Sequence, residues 1–282
     1  MENKISISIV TILAILSLVL SVAALRKNNT TDRSQDTLAK IQSTKKMKVC
    51  YAVFPPAVIK DSKTGQVSGH DIDALTEMAN ALGATVDLQE TTFGNMSAAI
   101  QSGTCDIGTS LFVKIPRASA VAFSIPMFYA GNSALVRKGD TRFNSIADVD
   151  KPGVTVAVAT GESGDIYASA HFKNATIRRI DVESSDLARF LLEVTSGRAD
   201  IGLADSVTVG NFAKEHPEAT DIFANNTFDN NPNAYPMRLG DTNLQSFINN
   251  SLEYMQSSGE WALFLKKYNA HWLQEVRQYE AQ

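Results

Sequence analysis

The feature that most limits how this chain can fold is a seven-residue pattern that occurs twice. Residues 102–108 read SGTCDIG and residues 196–202 read SGRADIG. Each copy follows an amphipathic helical stretch and opens a short apolar strand, and a strand-like run, 47–53 or 154–159, precedes each one. A helix-ending glycine before a strand is common enough to recur by chance, but the shared order of elements favours duplication. The pattern predicts that one α/β unit is built twice.

Helical and strand-like segments alternate along the rest of the chain. Apolar residues at positions 72, 75, 78, 79 and 82 form one face of a helix that begins at Asp71 and ends at Gly83. Further strands are predicted at 85–89, 106–110 and 201–204, and further helices around Ile100 and across 187–194. This alternation predicts the α/β class, with mostly parallel sheets flanked by helices.

Composition limits the number of domains and the kinds of partner. The 282 residues are 44% hydrophobic, which suffices for a large core and, at typical domain sizes, for about two domains. The formal charge is −4, and neither sign forms long blocks. Nucleic-acid-binding proteins carry a basic patch, so no nucleic acid is expected as a partner. The four histidines and two cysteines lack metal-ligand spacing, so no metal or other cofactor is expected.

The first residues predict export. Residues 5–25 carry no charge and follow Lys4, as in a signal peptide. Ser21 and Ala23 are small residues at the spacing of a signal-peptidase site, which favours cleavage. The run is also long enough to span a bilayer, so an uncleaved membrane anchor is the alternative. Either way, the folded part is expected to be periplasmic or otherwise extracytoplasmic.

Two further expectations concern the start of the fold and the cysteines. Residues 26–44 are polar without apolar periodicity and predict a linker, with the folded body beginning near Lys45. Cys50 and Cys105 lie far from the export segment, which excludes a lipid-bearing cysteine. In an oxidising compartment they can pair. Each lies in or beside a predicted strand, however, where buried free thiols are at least as common, so free thiols are favoured.

The candidate site follows from the predicted sheets. In open parallel sheets, ligands bind beyond the carboxyl ends of the strands. That rule selects Phe54, Ser110 and Asp205, together with the turn at 160–165. The turn has two glycines and Ser163 at the start of a predicted helix, and such N–H groups and hydroxyls suit a carboxylate. An ordinary strand-to-helix turn explains the same residues about as well.

Several motifs, taken in order, resemble the extracytoplasmic solute-binding proteins of amino-acid ABC transporters, the family 3 solute-binding proteins. The matching residues are GHDID at 69–73, Phe93, PR at 116–117, FSIPMFY at 123–129, the Gly161 turn, GRAD at 197–200 with Asp205, and GEW at 259–261. They extend over residues 45–270. The resemblance implies a two-lobed periplasmic-binding-protein fold whose lobes are joined by two hinge strands.

The resemblance also implies a division of the chain. Lobe 1 would comprise 45–131 plus 235–282, and lobe 2 would comprise 132–234, after a signal or anchor at 1–25 and a linker at 26–44. The hinge strands would lie near 131–137 and 235–239. Such a protein is expected to be a monomer that closes on a small amino-acid-like ligand and delivers it to the membrane permease of an ABC transporter or to a membrane receptor.

Site roles come from the same resemblance. Arg117 would bind the α-carboxylate of the ligand and Asp205 its α-ammonium. The chemistry agrees, because a guanidinium offers two parallel hydrogen bonds to a carboxylate, whereas a carboxylate facing a cleft favours a cation. Hydroxyls around the ligand carboxylate would come from Ser110 and Ser163, and aromatic walls from Phe54 and Phe93.

Three residues depart from the family pattern. Phe112 stands where a serine or threonine is usual, and Glu162 stands where the turn usually has a small hydroxyl residue, so the pocket is less polar and more acidic. Tyr51 stands where binders of lysine and arginine resemble one another in having an aspartate, which argues against a ligand with a basic side chain.

Two other functions remain open. The resemblance extends to cyclohexadienyl dehydratase, an enzyme on the same scaffold, for which Glu162 would be the acid if burial raised its pKa. A membrane-tethered ligand sensor would use residues 5–25 as an uncleaved anchor. We expect a binding protein and not an enzyme.

Overall fold

The computed structural model describes residues 36–270, which form two large β-sheets flanked by helices. The first half contains α1 (Thr37–Thr44), β1 (Lys46–Tyr51), β2 (Ile59–Lys60), β3 (Val67–Ser68), α2 (His70–Ala81), β4 (Thr85–Glu90), α3 (Phe93–Gln101), β5 (Ile107–Gly108), β6 (Leu111–Phe112), α4 (Ile115–Ala118) and β7 (Val121–Phe123). The second half contains β8 (Phe128–Arg137), β9 (Thr155–Ala159), α5 (Ser163–His171), β10 (Thr176–Ile180), α6 (Leu192–Thr195), β11 (Ile201–Asp205), α7 (Ser206–Glu215), β12 (Ala219–Asp221), β13 (Phe228–Ala234), β14 (Pro236–Arg238), α8 (Thr242–Ser258) and α9 (Glu260–Lys267). The predicted α/β class is confirmed.

The first sheet has the strand order β4-β1-β5-β14-β7. Strand β1 is parallel to β4 and β5, whereas β14 is antiparallel to β5 and β7. A single core cluster packs α2, α8 and α9 against this sheet, with Leu75, Met237 and Leu252 completely buried. The last two helices therefore belong to the same lobe as the first strands.

The second sheet has the order β10-β9-β11-β8-β13-β6, with β12 paired to β8. Strand β9 is parallel to β10 and β11, and β8 is antiparallel to β11 and β13. Because successive side chains of a strand point to opposite faces, Val156 and Val158 of β9 enter one core cluster and Ala157 and Ala159 enter another. Both faces of this sheet are covered, as expected for parallel strands joined by helices.

The repeated pattern has the same structural role in each sheet. Asp106 follows the helix-ending Gly103, and its Oδ2 accepts a hydrogen bond from the N–H of Lys48 at 3.0 Å, at the beginning of β1. Asp200 accepts in the same way from the N–H of Thr155 at 2.9 Å, at the beginning of β9. Each aspartate thus binds the backbone of the neighbouring parallel strand, which explains why an aspartate occurs at this place in both copies.

Apart from the short strand β6, which pairs with β13 at the edge of the second sheet, the chain crosses between the sheets at two adjacent points. It leaves the first sheet after β7, through residues 124–127, and returns at Tyr235 between β13 and β14. The N–H of Ser124 donates to the carbonyl of Tyr235, and the N–H of Tyr235 donates to Ser124 Oγ, each at 3.0 Å. Residues 131 and 132, between which one lobe boundary was predicted, both lie inside β8. Two paired connections of this kind suit hinge rotation.

The expected linker at 26–44 is wrong for its last part. Residues from Thr37 to Thr44 form α1, in which Asp36 Oδ1 caps the N-terminus by accepting from the N–H of Ala39 at 3.0 Å. Ile41 is completely buried in the core of the first lobe. One buried isoleucine per two turns is too weak a pattern to be seen as periodicity, so the fold begins earlier than the sequence suggested.

Two other expectations need qualification. The helix predicted across 187–194 is a 3-10 turn at Arg189–Leu191 followed by the single turn α6, although Phe190 and Val194 are buried as predicted. No helix within residues 36–270 is long and apolar enough to cross a membrane. The predicted signal or anchor at 5–25 lies outside the described residues.

The cysteines form a disulfide, so the favoured expectation of free thiols is wrong. Cys50 lies on β1 and Cys105 lies just before the neighbouring strand β5, with 5.6 Å between their Cα atoms. Their side chains are buried with Met96 and Ile100 of α3. The sequence could not decide between the two states, because only the pairing of β1 with β5 brings the sulfurs together.

We predict that removing this disulfide destabilises the protein substantially. The bond closes a loop across a sequence separation of 55 residues, for which loop-closure entropy corresponds to about 4 kcal/mol. A Cys50→Ala, Cys105→Ala double variant should lose about 2–4 kcal/mol of the free energy of unfolding in urea titrations. Unchanged stability relative to the oxidised wild type would contradict a structural role for the bond.

Candidate functional site

A cavity lies between the two lobes, beyond the carboxyl ends of strands from both sheets. Its lining residues are Phe54, Phe93, Ser110, Leu111, Phe112, Arg117, Glu162, Ser163, Asp205 and Asn233. The space open to the centres of water molecules is about 20 Å³, which is room for one or two waters. A ligand of amino-acid size therefore enters only when the lobes or the lining side chains lie farther apart than they do here.

The cavity contains all of the residues predicted for the site except Tyr51. The Tyr51 hydroxyl instead donates to Glu90 Oε2 at 3.3 Å, and Lys60 Nζ donates to the same oxygen at 2.5 Å. Sequence reasoning missed Leu111 and Asn233. Leu111 lies between two predicted residues, but Asn233 reaches the cavity only because β13 pairs with β6, and no local pattern marks it.

Arg117 extends from the short helix α4 into the cavity and reaches the opposite lobe. Its Nη2 donates to the carbonyl of Gly161 at 3.0 Å, and its Nη1 donates to the carbonyl of Phe112 at 3.3 Å. Burial lowers the pKa of the guanidinium to about 10, and the nearby Glu162 carboxylate opposes this change. Arg117 is therefore still a cation at neutral pH and gives the cavity a positive charge. Its N–H groups that do not bind these two carbonyls are free to donate to a ligand.

Glu162 enters the cavity from the second lobe, at the turn before α5. Its Oε1 is buried and has no hydrogen-bond partner among the described residues, although part of the residue reaches solvent. Burial raises the pKa of this carboxyl to about 7, with Asp205 contributing in the same direction. Arg117 and the N–H groups of Phe93 and Gly94, at the start of α3, oppose the rise. The group can exchange a proton near neutral pH.

Asp205 combines a capping role with a place in the cavity. It ends β11 and precedes α7, and its Oδ1 accepts from the N–H of Thr208 at 2.8 Å. Burial raises its pKa, and the hydrogen bonds from Thr208 oppose this. The sequence left open whether Asp205 is a cap or a ligand-facing acid. Asp205 does both: Oδ1 accepts the cap hydrogen bond, and the residue also lines the cavity.

Ser110 has its proton committed elsewhere. Both its N–H, at 2.7 Å, and its Oγ, at 2.5 Å, donate to Asp71 Oδ2, and the hydroxyl of Tyr235 lies 3.4 Å from Asp71 Oδ1. A serine hydroxyl has one donor and two acceptor lone pairs. Because its proton is used, Ser110 Oγ offers the cavity only an acceptor. An acceptor suits the ammonium of a ligand better than the ligand carboxylate, which the resemblance implied as the partner of Ser110.

The lobes touch around the cavity as well as across it. Gly94 of α3 lies so close to the second lobe that an added Cβ would be 2.7 Å from the carbonyl oxygen of Thr160. The N–H of Val53 donates to Ser184 Oγ at 3.3 Å. Leu187 of the second lobe packs against the cluster that holds Cys50. The structure is therefore a closed form, in which the lobes meet around a cavity that stays partly open to solvent.

Comparison with known proteins agrees with this architecture of two lobes and a central cavity. The sequence model of the bacterial extracellular solute-binding proteins, family 3, matches residues 47–271. A probable histidine-binding protein of Neisseria gonorrhoeae is 28% identical over 78% of this chain and 81% of its own length. Cyclohexadienyl dehydratase of Pseudomonas aeruginosa is 26% identical over 76% of this chain and 77% of its own length.

A solved structure shares this two-lobed fold. The crystal structure of an ancestral amino acid-binding protein, described as a precursor of cyclohexadienyl dehydratase, aligns with a TM-score of 0.71 at 30% identity, covering 83% of this chain and 99% of that one. The fold and the cavity between the lobes are those of a two-lobed solute-binding protein. This chain belongs to the bacterial extracellular solute-binding proteins of family 3.

We predict that a methyl group at Gly94 prevents full closure. In Gly94→Ala the new Cβ would clash with the Thr160 carbonyl across the cleft, while alanine is a better helix former than glycine. Small-angle X-ray scattering should show a larger radius of gyration than for wild type, at undiminished thermal stability. Gly210→Ala in α7 is the matched control, because its nearest neighbour would be 3.8 Å away. Equal compaction of both variants would contradict the role of Gly94.

Proposed function

We propose that this protein is exported, binds an amino-acid-like solute between its lobes and delivers it to the permease of an ABC transporter. The observation that carries the proposal is that Arg117 from the first lobe and Asp205 from the second line the same cavity between the lobes. Opposite charges on opposite walls match the two charges of an α-amino acid. The attraction between each wall charge and the ligand charge facing it becomes stronger when the lobes exclude water. Several of its family 3 relatives are amino-acid-binding proteins.

Three features support closure on such a ligand. Arg117 retains N–H groups beyond the two that bind backbone carbonyls, and these can bind a carboxylate. The amide nitrogen of Asn233 is buried without a partner among the described residues, so it can donate to the same carboxylate. Phe54 and Phe93 meet edge to face, with 5.6 Å between ring centroids, and form an apolar wall for a side chain.

We predict that Arg117→Ala lowers the affinity for the amino acid that wild type binds by about 30-fold or more. Losing one partner of a buried charge pair costs about 2–5 kcal/mol of binding free energy. Calorimetry, after a thermal-shift screen of amino acids, measures the effect, and uptake of labelled ligand by cells tests delivery. Arg198→Ala is the control, since Arg198 is half-exposed, pairs with Glu193 and does not line the cavity. An unchanged affinity of Arg117→Ala would contradict the proposed site.

The second candidate function is a dehydratase on the same scaffold. It is favoured by the buried carboxyl of Glu162, whose pKa of about 7 lets it hold a proton at neutral pH, as a general acid must. In this reaction Glu162 would protonate the leaving hydroxyl of prephenate while the ring carboxylate departs as carbon dioxide, yielding phenylpyruvate and water.

We predict that the protein does not catalyse this reaction. The substrate is a dianion, and its binding would add two negative charges beside Glu162 and Asp205, with only Arg117 to offset them. Incubation with prephenate should therefore yield no phenylpyruvate above the uncatalysed rate, measured by absorbance. Formation of phenylpyruvate by wild type, and its loss in Glu162→Gln, would establish the enzyme instead.

A further inference from the structure

The charged groups of the cavity do not balance. Among its lining residues, one cation, Arg117, faces two acids, Glu162 and Asp205. Arg117 and Asp205 alone would match a neutral amino acid, with one negative and one positive charge. Glu162 adds a second negative charge on the wall, and it comes from the second lobe, so it enters the cavity when the lobes close.

The surroundings of Glu162 compensate only part of that charge. The groups that act on it are Arg117 from α4, Asp205 from the end of β11 and the first N–H groups of α3. The N–H groups of Phe93 and Gly94 donate to the carboxyl group, but its buried Oε1 has no hydrogen-bond partner among the described residues. A buried carboxylate with an unpaired oxygen is costly, and burial is the largest cause of the raised pKa of Glu162. A ligand cation would offset this cost.

The hydrogen-bonding groups and aromatic rings of the cavity also favour a cationic ligand. Two N–H groups of Arg117 are already bound to the carbonyls of Phe112 and Gly161. Ser110 donates its proton to Asp71 and so offers an acceptor. Aromatic walls attract cations through their ring faces, and Phe54, Phe93 and Phe112 line the cavity. The cavity thus offers acceptors and aromatic rings to a cation, beside free donors that include the remaining Arg117 N–H groups and the Asn233 amide.

We propose that Glu162 sets the charge of the ligand, so that the cavity selects an amino acid with a cationic side chain, of net charge +1. This inference rests on the proposed binding function. It reverses the expectation drawn from Tyr51. The Tyr51 side chain binds Glu90 and does not line the cavity, so this position does not determine the charge of the cavity. Glu162 supplies the acid from the other lobe.

The proposal has a consequence for pH. With a neutral amino acid bound, the ligand side chain brings no cation to Glu162, so the carboxyl keeps its raised pKa, the closed complex takes up a proton and affinity falls as pH rises through about 7. A cationic side chain stabilises the ionised carboxylate of Glu162 and lowers its pKa. The closed complex with such a ligand therefore forms without taking up a proton. The preference for cationic over neutral ligands should therefore increase between pH 6 and pH 8.

Arginine and glutamine test the inference, because they are similar in size and differ in the charge of the side chain. Calorimetry with the purified wild type at pH 8 should show arginine bound about 10-fold or more tightly than glutamine, as one buried charge pair would give. Glu162→Gln should abolish this ratio and its pH dependence, whereas Glu162→Asp, which retains the charge, should preserve the preference. Glu253→Gln, an exposed acid on α8, is the control that should match wild type.

The outcomes separate the inference from the function on which it rests. If glutamine binds wild type as tightly as arginine at pH 8, or if Glu162→Gln leaves the ratio unchanged, Glu162 does not select charge, although the protein still binds amino acids. If butylamine, a cation without a carboxylate, binds as tightly as arginine, the ligand is an amine and the amino-acid assignment is overturned. If none of the amino acids binds, the proposed function itself fails.

Discussion

The closed form depends on the guanidinium of Arg117. A buried cation needs hydrogen bonds on the protein side, and Arg117 finds one within its own lobe, at Phe112, and one across the cleft, at Gly161. The carbonyl of Gly161 is available because the turn that follows β9 adopts a positive φ of 74° at this glycine. That bond joins the turn of the second lobe, and Glu162 with it, to the first lobe beside the carboxyl ends of its strands.

Burial of the two acids follows from the same closure. Glu162 and Asp205 both belong to the second lobe, yet Glu162 faces the N-terminus of α3 in the first. When the lobes separate, water reaches these carboxyl groups, and the cause of their raised pKa values disappears. Ligand charge, proton binding and lobe closure are therefore linked, and a cation between the lobes favours the closed form more than a neutral ligand does.

Features that depend on neighbours in sequence were predictable. Alternating periodicity indicated the α/β class, and the rule of strand ends selected Phe54, Ser110 and Asp205, all of which line the cavity. Arg117 and Phe93 required the family resemblance, because a lone arginine after a proline has no local signature. Helix α1 and the disulfide were not predicted, since Ile41 gives no periodic signal and Cys50 meets Cys105 only through the pairing of β1 with β5.

The sequence by itself determined that one α/β unit is built twice, because each copy carries the aspartate that binds the backbone of the neighbouring strand. It also supplied the residue types of the site. Only the tertiary structure decided that Tyr51 lies outside the cavity, that Asn233 lies inside it and that Glu162 meets Arg117. The physical reason is that these relations join the two lobes or distant strands, and the burial that shifts the pKa of Glu162 exists only where the lobes meet.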